Sequence, residues 1–216
     1  MKKPLIRTRS APDRDAALAQ YRGRASVYDV ELALFEPIRR RAIARLAPRP
    51  GEVVLDVGCG TGLSFEQLLR GVGARGGVVG IEQSPEMIER ARQRLRQRGW
   101  DRVTLVCEPV ESADIPGMAD AALFHFTHDI LQRPEAVANV VRHLRPGARV
   151  VASGLKWAEA WRWPTNLFVL PAALRSVTSL RGLDAPWALL ARAIPDLAVT
   201  PTLLGGLYIA SGTVAG

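Results

Sequence analysis

The chain of 216 residues has only two cysteines, three histidines and three lysines, Lys2, Lys3 and Lys156, and it lacks any long hydrophobic run. Each shortage excludes something. Cys59 and Cys107 cannot make a disulfide framework, and neither lies in a Cys/His cluster spaced for zinc, so no metal is expected and a reducing compartment fits. The opening MKKPLIRTRSAPDRD carries cations but no apolar segment of the kind a secretory signal needs. The longest late apolar stretch, Leu167 to Leu174, is far short of a membrane span. These absences lead us to expect a cytoplasmic protein, at most peripheral to a membrane.

What is present is a globular composition, 48% apolar, in a length that suits one domain, or one domain with an added subdomain. Net charge is +8 and the pI about 10.4, a balance that suits an anionic partner such as nucleic acid or an acidic membrane surface, although a general arginine bias produces it equally well. Along the chain, Ala16 to Tyr21 and Val27 to Leu46 read as helices, and Val53 to Val57 as a strand covered on both faces. Further strands are expected near 78–82, 103–107, 121–126 and 149–155. Helices should lie between them near 63–71, from Pro85, and near 134–144, with ArgProGly at 145–147 making a turn. Ser84 is placed to cap the helix that Pro85 opens. Alternating strand and helix predicts a parallel α/β sheet with right-handed crossovers. The two last strands, 197–204 and 207–214, are separated by only Gly205 and Gly206, a link that permits only antiparallel pairing.

The most informative stretch is VVLDVGCGTGLSFEQL at 53–68, where a strand ends in an acidic residue followed by glycines and then a helical pattern. In open α/β sheets the first such turn is the usual ligand site, and Gly58, Gly60 and Gly62 would let a ligand approach the backbone. A phosphate-binding Walker loop is excluded because no lysine follows the glycines. A dinucleotide loop would place Gly or Ala where Leu63 stands. Glu82 ends the next strand, where a carboxylate can accept hydrogen bonds from both ribose hydroxyls. The pattern therefore implies a nucleoside without a pyrophosphate.

At these residues the chain resembles the class I S-adenosylmethionine-dependent methyltransferases, near the quinone and phospholipid methyltransferase group. LDVGCGTG at 55–62, GIEQSPEMIERAR at 80–92 and HLRPGARVVASG at 143–154 carry the likeness, which extends from about Tyr21 to the end. It implies a Rossmann-like α/β fold: a mostly parallel seven-stranded sheet with helices on both faces and a C-terminal antiparallel hairpin. The expected organisation is a single domain with lid helices over 1–48, a cofactor core over 49–155, an acceptor-binding insert over 156–194 and the hairpin over 195–216. The implied cofactor is S-adenosylmethionine, leaving as S-adenosylhomocysteine. By position, Asp56 and the loop Gly58, Cys59, Gly60 and Gly62 would hold its methionine portion and Glu82 its ribose, with Gln83 beside the adenine. Glu111 and the Ser112 amide would reach the adenine edge, with Glu108 a rival for Glu111. His125 would border cofactor and acceptor, Phe126 the acceptor, and Tyr21 and Tyr28 would belong to a lid.

Methyl transfer from a sulfonium is an in-line displacement that positioning alone can largely catalyse when the acceptor is a neutral amine. A hydroxyl or carbon acceptor would need a base, for which His125 and His128 are the candidates. The insert holds four of the five tryptophans, Trp157, Trp161, Trp163 and Trp187. Such aromatics can line an apolar acceptor pocket, with Trp157 and Trp161 the nearest candidates, or sit among lipid headgroups, or pack the insert on the core. The expected partner is a small hydrophobic acceptor methylated on O or N, with possible contact to an anionic membrane. An RNA or protein substrate is the alternative that the charge permits, but no RNA-binding module or AsnProProTyr-like tetrad occurs. A cofactor-binding protein without transferase activity is the other.

Overall fold

A computed structural model describes residues 35–176 and 179–216, so Tyr21 and Tyr28 lie outside the described residues. Seven strands form one sheet: β1 (Val53–Val57), β2 (Gly77–Ile81), β3 (Val103–Val106), β4 (Ala119–His125), β5 (Leu144–Leu155), β6 (Ala198–Thr202) and β7 (Leu207–Thr213). Their order is β3-β2-β1-β4-β5-β7-β6. The first five pair in parallel, whereas β7 runs antiparallel to both β5 and β6. Helices α1 (Glu36–Leu46), α2 (Phe65–Val72), α3 (Pro85–Arg98), α4 (His128–Leu131), α5 (Pro134–Val141), α6 (Trp163–Ser176) and α7 (Ala188–Ala193) complete the described elements, with two short 3₁₀ turns.

Successive residues of β1 enter opposite layers of core. Val54 joins Ile38, Leu46, Phe65, Leu68 and Ile88, while Leu55 and Val57 join Phe124, Val137, Leu190 and Tyr208. Strand side chains alternate in direction, so an unbroken apolar run marks a sheet covered twice. The chain reverses order at β1, placing the carboxyl ends of β1 and β4 at the switch point where α/β proteins bind ligands. Ser84 caps α3 as expected, its Oγ accepting from the Met87 amide at 3.3 Å.

Two local expectations are corrected. ArgProGly at 145–147 does not turn the chain before a strand; it lies within β5, whose pairing with β4 slips between Ala119↔Leu144 and Ala121↔Arg149. Pro is tolerated at such a bulge, and Gly147, at φ +77°, donates its amide to Val214 at 2.9 Å. The preceding helix accordingly stops at Val141. The final hairpin keeps its antiparallel pairing, but β6 ends at Thr202 and a 3₁₀ turn over Leu203–Gly205 makes the connection.

Candidate functional site

The turn after β1 is fastened to the end of β2. The amides of Gly58 and Cys59 both donate to the Ile81 carbonyl, at 2.8 and 3.0 Å, and this brings Glu82 alongside the glycines. There the Glu82 carboxylate accepts from the Gly60 amide at 3.3 Å and the Ser84 amide at 2.9 Å. Gly58 has φ +70°, and a Cβ on it would come within 2.5 Å of Thr127 Cγ2 and 2.9 Å of Ile130 Cδ1. Only glycine combines that left-handed backbone with so close an approach.

A cleft of about 400 Å³, counted to its open mouth, is lined by Arg39, Asp56, the 58–61 backbone, Leu63, Ser64, His125 and Phe126. Three ionisable groups set its chemistry. Asp56 is 2% exposed, and its Oδ2 is buried without a hydrogen-bond partner. Burial pushes its carboxyl up to about 7; Arg39 opposes the rise and Glu82 adds to it. Burial also raises Glu82, against which the amides of Ser84, Gly60 and Gln83 work. His125 is driven down to about 3, first by burial and then by the Arg39 charge, so its imidazole is neutral at pH 7. Its Nδ1 lies 2.8 Å from Ser153 Oγ, and its Nε2 is buried without a partner. Cys59 is an unreactive neighbour, its thiol held well above the usual range by burial and by the Asp56 and Glu82 charges.

The structure thus brings together Asp56, Gly58, Cys59, Gly60, His125 and Phe126 around one cleft, with Glu82 bonded to its loop. Gly62 closes the turn, its amide donating to the Cys59 carbonyl, and Gln83 follows Glu82 half-buried. Other candidates stand outside the lining. Glu111 pairs with Arg133 at 2.5 Å, the Ser112 amide donates to the Pro109 carbonyl, and Glu108 accepts from the Asp114 amide at 3.0 Å. His128 is buried with Nε2 2.9 Å from the Arg181 carbonyl, a contact that protonates Nε2 and leaves Nδ1 as the free lone pair. Trp157 packs against the core, its amide donating to Leu183, and Trp161 is 69% exposed under the Arg162 guanidinium.

Sequence reasoning missed Arg39, which lines the cleft while 3% exposed and paired with Glu36 at 3.0 Å. A signal existed: residues 39, 42, 43 and 46 share the inward stripe of α1. Nothing in the sequence announced the φ of +57° at Phe126, a strained geometry that turns the chain at the mouth of β4.

Sheet order, glycine turn and acidic strand end together define a Rossmann-like domain of the kind that binds a nucleoside cofactor without a pyrophosphate. Residues 54–147 match the methyltransferase domain family. Aklanonic acid methyltransferase DauC from Streptomyces sp. (strain C5) is 32% identical over 55% of this chain and 54% of its own length. Nocamycin O-methyltransferase from Saccharothrix syringae is 32% identical over 60% of this chain and 48% of its own length. The chain therefore spans about half the length of these curated relatives. Among solved structures, the N-methyltransferase NodS from Bradyrhizobium japonicum WM9, in complex with S-adenosyl-L-homocysteine, superposes with a TM-score of 0.59 at 18% identity, covering 84% of this chain and 88% of that one. Residues 54–147 are thus a match to the methyltransferase domain family, carried on a fold shared with this solved methyltransferase.

Proposed function

We propose that the chain transfers a methyl group from S-adenosylmethionine to a small apolar acceptor, on oxygen in the first instance. The observation that carries this reading is the orphaned, buried Asp56 carboxylate beside a glycine turn to which Glu82 is fastened. A buried acceptor without a partner is expensive to leave unmade, and an ammonium group would satisfy it. In this reading Asp56 holds the amino group of the cofactor's methionine portion, Arg39 faces its carboxylate, and Glu82 takes the ribose hydroxyls. Gln83 borders the adenine, whose edge falls to Glu111 and Ser112 or to Glu108. The cofactor supplies an electrophilic methyl group on a sulfonium.

The chain's own contribution is positioning and exclusion of water. Phe126, beside Phe35 at 4.6 Å between ring centroids, gives the mouth an apolar wall suited to a hydrophobic acceptor. The neutral His125, oriented by Ser153, is the group that would hold the acceptor oxygen or its proton. With its basicity so reduced, it serves an acidic oxygen better than an aliphatic alcohol. His128 lies outside the cleft lining, its Nε2 bonded to the Arg181 carbonyl, and takes no part in the transfer in this reading. The relatives named as methyltransferases of aklanonic acid and nocamycin support a small-molecule acceptor and, for the latter, transfer to oxygen.

The test is calorimetric titration with S-adenosylhomocysteine. Wild type should bind, and Glu82→Ala should bind ~10- to 100-fold more weakly through loss of charge-assisted hydrogen bonds. A folded wild-type protein that binds neither this ligand nor S-adenosylmethionine would sink the reading. Binding without acceptor-dependent turnover across small apolar acids, phenols and amines would favour a non-catalytic role.

A further inference from the structure

We propose that the outward face of α6, together with the 203–204 turn, docks on an anionic lipid bilayer and admits the apolar acceptor from there; the admission step rests on the methyltransferase reading above. The polarity of α6 is inverted for a surface helix. Val169 and Ala173 face the core, while Trp163, Leu167, Phe168, Leu170 and Leu174 stand exposed, Leu167 at 66%. A helix on a water-facing surface directs charged or polar residues outward, and among the described side chains of α6 those that stand exposed are all apolar. A contiguous exposed apolar surface of this kind marks an interaction site.

The patch extends beyond the helix. Leu203 and Leu204 are 54% and 71% exposed, at φ 45° and 54°. A left-handed backbone in two successive leucines is strained, and here it serves to hold two apolar side chains in water. The turn abuts the start of α6: a Cβ on Gly205 would lie 3.9 Å from Arg162 Cδ, and one on Gly206 2.8 Å from Thr165 Cγ2.

Charge selects the occupant. Residues 160–183 contain Arg162, Arg175 and Arg181 and no Asp or Glu, residues 197–216 carry no charged side chain at all, and the whole chain is +8. The acids that flank these segments are Glu159, which accepts the indole N–H of Trp161 at 2.6 Å, Asp184, and Asp196, which accepts from the Thr213 amide at 2.8 Å. Two copies of this surface would bring like charges together, whereas an anionic bilayer complements it. Tryptophan suits the headgroup level, and Arg162 stacks 4.2 Å above the Trp161 ring at the rim of the patch. Among the described residues no helix is long and apolar enough to cross a membrane, so the contact is with its surface. Phe168 lies 6.5 Å from Phe35, which touches the cleft-lining Phe126, so apolar side chains run from the patch to the site.

The experiment is co-sedimentation of the full chain with phosphatidylcholine vesicles, with and without phosphatidylglycerol, for wild type and Leu167→Glu/Leu174→Glu. S-adenosylhomocysteine titration and circular dichroism are run on the same samples. The expected result is binding to the anionic vesicles, quenching of tryptophan by brominated lipid, and a partition coefficient at least ~10-fold lower in the double variant, which stays folded. Wild type left in the supernatant would overturn the proposal, as would anionic binding that the double variant retains, or a stable dimer whose tryptophans brominated lipid does not quench. In each of these cases intact S-adenosylhomocysteine binding leaves the methyltransferase reading standing, and its loss removes that reading instead. Should the double variant unfold, Trp161→Phe/Trp163→Phe decides: brominated-lipid quenching that it retains in full counts against the patch.

Discussion

Asp56→Asn should stabilise the ligand-free protein increasingly as pH rises. The Asp56 carboxyl is pushed up to about 7 by burial, against Arg39 and with help from Glu82, from an ordinary value of 3.8. The folded state thus keeps a proton that the unfolded chain gives up, and stability falls as pH climbs from about 4 to about 7, levelling off above. At ~1.4 kcal/mol for each tenfold change in proton affinity, the loss approaches ~4 kcal/mol, of which ~2–3 kcal/mol accrues between pH 5 and pH 8. Asparagine removes this titration, and its own unpaired amide contributes a term that does not change with pH. The quantity to measure is therefore the change in the melting-temperature gap between variant and wild type. For a chain of this length the gap should widen in the variant's favour by ~5–10 °C from pH 5 to pH 8. His125, held near 3, destabilises the fold as pH falls below its usual 6.5, and it does so in both proteins. Scanning calorimetry at the two pH values checks this; a gap that is flat or narrows would refute the account of Asp56. The same variant should bind S-adenosylhomocysteine at least ~10-fold more weakly at pH 8, since the destabilising carboxylate is the one that meets the ligand's ammonium.

Gly58→Ala must force a Cβ against Thr127 and Ile130 at a left-handed backbone; a loss of ~2–4 kcal/mol is expected by urea denaturation, together with weakened S-adenosylhomocysteine binding. Arg39→Met should weaken S-adenosylhomocysteine by ~10-fold relative to 5′-methylthioadenosine, which lacks the carboxylate; an unchanged affinity ratio would place that carboxylate elsewhere. Ser84→Ala removes the α3 cap and should lower stability by ~1 kcal/mol in the same denaturation assay, with little effect on ligand affinity.

Where local chemistry and tertiary context agree, the residues announced their structure in advance. Val53 to Val57 read as a doubly covered strand and Ser84 followed by Pro85 as a helix start, and both are found. The glycine turn was legible because absent side chains are themselves a signal. ArgProGly at 145–147 misled because the residues on either side of it, Leu144 and Arg149, both pair with β4, so the turn chemistry makes a bulge inside β5 and not a boundary before it. In α1, arginines at 39, 40 and 41 look alike in sequence, and only the stripe shared with Ala42, Ile43 and Leu46 singles out Arg39. The tryptophans of 156–194 gave no sign of which would pack. Trp157 and Trp187 turn inward, the latter 4.8 Å from Tyr208, whereas Trp161 and Trp163 turn out.

The placement of β7 dictates an order of assembly. It is the last strand in the sequence, yet it lies inside the sheet, between β5 and β6. While the chain is being synthesised, β5 can pair with β4 but presents an open edge on its other side, and β6 has no neighbour to join. Both must wait for residues 207–213. Until then the nascent protein carries, over Arg149 to Leu155, an unpaired row of amides and carbonyls, the feature most prone to pairing with another molecule.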